Sequence, residues 1–122
     1  MTEKILVEIS HALREASSDI LREVCKYEPQ IDGMERLQLL DIMKMFDHIS
    51  INTLIDNKIT EDDLSRLKNA STTLEAVLKK TRPYETNTFK CKSDVDSCLA
   101  NSYSITDKML CIALFARCVA KG

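Results

Sequence analysis

Apolar residues recur at helical spacing along most of this chain. Ile5, Ile9, Leu13, Ala16, Ile20 and Val24 follow one another at steps of 4, 4, 3, 4 and 4, which places them on one stripe of a helix over 3–27. Glu8, Arg14, Glu15, Ser18 and Arg22 fill the other face. Pro29 disfavours helical geometry at Glu28, so the helix should stop near Tyr27. A second helix is predicted from Asp32, an N-cap with Glu35 as capping-box partner, to about Asp56. Its stripe is Leu39, Ile42, Phe46, Ile49 and Thr53. Leu37, Leu40, Met43 and Leu54 widen the apolar face, which predicts contact with more than one neighbour. A third helix begins at the Thr60 cap, with Asp63 in the capping-box position. It carries Leu64, Leu67, Ser71, Leu74 and Leu78 on one side and ends at Thr81 or Arg82, ahead of Pro83.

From Pro83 to Lys92 no period is visible, and this stretch reads as the longest loop. Ser93 and Ser104 each have an aspartate three residues on, Asp96 and Asp107, and both read as helix starts. The fourth helix is predicted over about 93–102. The fifth, about 105–120, is nearly all apolar from Met109 to Ala116, as expected of a helix buried on most sides at the centre of a bundle. Arg117 near its end should reach solvent or a carboxylate. The fold class that follows is all-α: a four- to five-helix bundle with a C-terminal antiparallel helical hairpin, in a single domain over 1–122.

The cysteines add the most to this picture. Of the five, Cys91, Cys98, Cys111 and Cys118 follow the third helix in the pattern C-x6-C-x12-C-x6-C, symmetric about the turn near Tyr103 and Ser104. Residues seven apart on a helix share a face, about 10.5 Å apart. If the last two helices fold back on one another, Cys98 faces Cys111 near the turn and Cys91 faces Cys118 at the open end. The arrangement resembles, over the hairpin alone, the twin-cysteine helical hairpins of the mitochondrial intermembrane space, whose cysteines are spaced more widely. Three readings stand beside one another: reduced core cysteines, two nested disulfides in an oxidising compartment, or a metal site. One zinc ion cannot be reached by two cysteines about 10.5 Å apart on a single helix, and no CxxC or neighbouring histidine assists. Of the other two, reduced thiols are the expectation adopted. Cys25 sits beside the stripe of the first helix and is expected in the core.

Composition excludes more than it assigns. The 122 residues are 44% hydrophobic and 30% charged, a globular balance, and two Gly and two Pro leave few breakers. Two glycines also rule out a Gly-rich phosphate loop or dinucleotide fingerprint. There is no G-x-S-x-G and no H-E-x-x-H; His11 and His48 are isolated, and His11 lies about four turns from Cys25, too far for a base to meet a nucleophile. The segment from Asp56 to Asp63 has oxygen ligands but lacks the central Gly and terminal Glu of a calcium loop. No cofactor is expected.

The net charge of −2 comes without a basic stripe, so no nucleic-acid partner is expected, and no segment approaches the ~20 apolar residues of a membrane span. No signal peptide is read at residues Ile5 to Ile9, which gives a cytoplasmic expectation, or a periplasmic or secreted one if a leader has been removed. The function expected is a non-enzymatic protein-binding module, as a monomer or homodimer. Within that class the narrower expectation is a small inhibitor or immunity-type protein that docks on a basic partner protein. The alternatives are a disulfide-stapled helical module, stabilising or redox-responsive, and a cysteine-dependent enzyme, which no motif supports. Arg82, Tyr84, Glu85 and Phe89, around the 82–92 loop, are the expected partner contacts, because loops carry function more often than packed faces. Leu37 and Leu40 are spare apolar positions that leave room for a dimer seam.

Overall fold

A computed structural model of the chain describes residues 4–26, 33–81 and 87–121; the side chains of 26, 80, 81 and 87–89 fall outside that description. Five α-helices, with no strand among the described residues, make up the fold: α1 (Lys4–Lys26), α2 (Gly33–Asp56), α3 (Glu61–Thr81), α4 (Asn87–Ala100) and α5 (Ile105–Lys121). α1 packs against α2 and α5; α5 also packs against α3 and α4; α3 closes the group against α2. The near-continuous apolar sequence of α5 follows from this position, since it faces three neighbours.

The sequence stripes become the core. Ile9, Leu13, Ala16, Ile20 and Val24 of α1 are buried, with Leu39, Ile42, Phe46 and Ile49 of α2, Leu67, Leu74 and Leu78 of α3, and Met109, Ile112, Phe115 and Val119 of α5. Each large aliphatic side chain so buried contributes roughly 1.5–3 kcal/mol relative to exposure. Two buried serines join α1 to α2. The Ser10 and Ser50 hydroxyls meet one another, and each also lies within hydrogen-bond reach of the other residue's backbone carbonyl, at 3.3 Å and 3.1 Å, so two hydroxyl protons are shared among three contacts. Small side chains let the two backbones approach, and the reciprocal bonds satisfy groups that no water reaches.

Helix ends are fixed by local chemistry. At the start of α3 the Thr60 N–H donates to Asp63 Oδ2 and the Asp63 N–H to Thr60 Oγ1, both at 3.1 Å, as expected of a capping box. Asn57 takes a left-handed conformation (φ 55°) after α2, and its N–H donates to the Thr53 carbonyl, a C-terminal cap that asparagine tolerates better than most residues. The Ser104 hydroxyl accepts the Asp107 N–H at 3.1 Å and starts α5. The expected cap at Asp32 lies outside the described residues.

Two sequence expectations are corrected. α4 begins at Asn87, so 87–92, expected to be part of the longest loop, are helical, and Ser93 lies inside the helix and is not its cap. The buried positions Cys91 and Val95, one turn apart, carry the helical face upstream of Ser93. Cys25, expected in the core, is exposed. It is next to buried Val24 in sequence, but one residue along a helix turns the side chain by about 100°.

Candidate functional site

The four C-terminal cysteines come together in pairs. Cys91 and Cys118 have Cα atoms 5.8 Å apart, and Cys98 and Cys111 5.7 Å apart, both at disulfide distance. The pairing climbs α4 while it descends α5. The link between the two helices is short and well bonded: Asn101 and Ser102 donate their N–H groups to the carbonyls of Cys98 and Leu99, and the Ser102 hydroxyl donates to the Cys98 carbonyl at 2.7 Å. That hydroxyl also lies 3.2 Å from Cys111 Sγ. Cys91 and Cys111 are buried and Cys98 and Cys118 half-buried, so each pair joins an inner sulfur to an outer one. A groove of about 280 Å³ runs over them, lined also by Asp94, Val95, Leu114, Phe115 and Arg117.

From the groove's lining Arg117 reaches Glu15 of α1 at 3.3 Å, and His11 Nε2 meets the second oxygen of the same carboxylate at 2.8 Å. Glu15 thus ties α1 to α5. Asp19, one turn on, has a side chain 14% exposed and paired with Arg22 at 3.0 Å. Glu23 is also buried, which the stripe pattern did not signal. His48 is exposed, and its ring meets Asn52 at 2.9 Å. Among the described residues no three His, Cys, Asp or Glu side chains cluster in a way that could hold a metal ion.

Of the expected partner contacts, Arg82, Tyr84 and Glu85 lie outside the described residues, and Phe89 falls in α4 with its side chain outside them. A different surface stands out. Among the described residues eight large hydrophobic side chains are exposed, and seven belong to α1 and α2: Val7, Leu21, Met34, Leu37, Ile51, Leu54 and Ile55. Met34, Leu37 and Ile55 are 70%, 62% and 73% exposed. Leu37 and Leu54, expected to widen the packed face of α2, are exposed.

The signal for this surface was in the sequence. Met34, Leu37, Asp41, Lys44, His48, Ile51 and Ile55 step by 3, 4, 3, 4, 3 and 4, a second stripe opposite the buried one, and every member is exposed. The Ser10–Ser50 pair and an Arg14–Asp47 contact at 4.0 Å set α1 antiparallel to α2. That register sets Val7 level along the axis with the Ile51–Ile55 end of the stripe and Leu21 level with the Met34–Leu37 end. The face is therefore apolar at both ends and charged across its middle.

No protein-family model, no curated protein and no solved structure matches this chain. No described helix is long and apolar enough to cross a membrane.

Proposed function

We propose that this protein is a non-enzymatic, protein-binding helical module that docks through the outer face of α1 and α2. The observation that carries the reading is the concentration of seven of the eight exposed large hydrophobics on those two helices. Scattered single apolar residues on a surface are ordinary; a run of them along one helix pair, with charge between, is what a binding face requires. The narrower expectation of an inhibitor or immunity role against a basic partner rests on small size and a net charge of −2, and no feature of the described surface adds to it.

The cysteine geometry favours an oxidising compartment over the cytoplasmic expectation. Two pairs at disulfide distance, nested about one short link, are placed as an oxidised chain needs them. In this reading α4 and α5 are the fastened part of the module and α1–α2 the working part.

The test is affinity capture by the immobilised chain from extracts of the cells that make it, at physiological salt. Wild type is expected to retain a defined partner that the Leu37→Glu/Ile55→Glu double variant loses, with unchanged helical circular dichroism. Equal capture by both proteins, or capture by neither, overturns the assignment of this face.

A further inference from the structure

The stripe on α2 is built to meet itself. Its seven positions span Met34 to Ile55, about 32 Å of a 24-residue helix, and its midpoint falls between Lys44 and Met45, the middle of α2. Reversing the stripe end to end returns a matching order: apolar, apolar, polar, polar, polar, apolar, apolar. From this we infer that the face binds a second copy of this chain, with α2 of one copy antiparallel to α2 of the other about a twofold axis near Lys44. The inference rests on the binding reading above and names its partner.

Each layer follows from the register. Met34 faces Ile55 and Leu37 faces Ile51, at both ends, so the most exposed apolar side chains cover one another. Asp41 faces His48, whose ring N–H can donate to the carboxylate, and this happens twice. Lys44 alone meets its own copy at the axis, with Asp41 of each chain one turn away to offset the like charge. The parallel alternative would set Asp41 against Asp41, Lys44 against Lys44 and His48 against His48, three like pairs in a row. Polar residues within an apolar helical seam commonly fix orientation and register in this manner, at some loss of affinity. Val7 and Leu21 of α1, at the axial levels of the two apolar ends, are also exposed. An anionic membrane surface is a poorer occupant, since the middle of the stripe carries Asp41 and the chain is net negative.

Sedimentation equilibrium on the full-length, unreduced chain, from low micromolar to millimolar concentration, tests this. Mass is expected to rise with concentration from 13.9 kDa toward twice that value. The Ile55→Glu variant should weaken association by more than about tenfold. Orientation is read by cysteine trapping in a Cys25→Ser background. Lys44→Cys should form a covalent dimer on mild oxidation. Leu37→Cys should not do so alone, but should do so when mixed with Ile51→Cys. A mass that stays at 13.9 kDa throughout overturns the second-copy assignment, as does a dimer indifferent to Ile55→Glu. Self-trapping of Leu37→Cys equal to that of Lys44→Cys overturns the antiparallel register. A strictly monomeric chain that still retains a foreign protein through Leu37 overturns only the choice of partner, not the binding reading.

Discussion

The Ser10–Ser50 contact shows how little room there is where α1 and α2 cross. The two buried hydroxyls touch one another and each lies within reach of a backbone carbonyl of the opposite helix, so a larger side chain at either position must displace packed neighbours. Ser10→Leu should cost more than about 2 kcal/mol in chemical denaturation, from overpacking, whereas the double change to alanine should cost less than about 1 kcal/mol because both partners leave together. Two other buried hydroxyls have the opposite character. Thr53 and Ser71 are each 1% exposed, and their oxygens have no hydrogen-bond partner among the described residues. Replacing Thr53 by the isosteric valine removes an unsatisfied polar group and should raise stability by about 1 kcal/mol; a loss of stability would mean that the hydroxyl has a partner after all. Cys25 is the cysteine outside the pairs. Alkylation of the denatured, unreduced protein should therefore modify one cysteine, and alkylation after reduction five, read by intact mass.

At the scale of elements, the two cysteine pairs hold α4 to α5. The inner pair closes a loop of 13 residues and the outer one of 27; with the inner closed, the outer adds an effective loop of 14 (27 − 13). Chain-entropy reasoning gives about 3 kcal/mol for each closure. Full reduction should lower the melting temperature by roughly 20–25 °C, and an unchanged value would contradict the staple. Which elements were legible beforehand follows from where the signals lie. The caps at Thr60 and Ser104 are local, two residues within one turn, and the structure uses both. The start of α4 was not legible because Ser93 and Asp96 imitate a capping box inside a helix whose apolar face is short. The cysteine pairing was legible as a symmetry, but sequence could not say whether the Cα atoms come within bonding range. On α2 the two opposed stripes were read as one wide face, because nothing in the sequence says which of two apolar sides the rest of the chain will cover.

For the whole molecule, the division is between a packed and fastened half and an open one. α5 sits among α1, α3 and α4, while the outward sides of α1 and α2 keep their hydrophobic residues in solvent. A protein that exposes Met34, Leu37, Ile51 and Ile55 along one helix gains nothing in its own stability from them. Leu37→Glu/Ile55→Glu should therefore leave the melting temperature within about 2 °C of wild type under conditions where the chain is monomeric. The central claim is that this face is the one that binds. The most direct test is a photo-cross-linking residue placed singly at positions 37, 55, 66 and 108 and activated in the cells that make the protein. The account predicts covalent adducts from 37 and 55 on α2 and none from 66 on α3 or 108 on α5. Adducts from 66 or 108 alone, or none at any position, would contradict it.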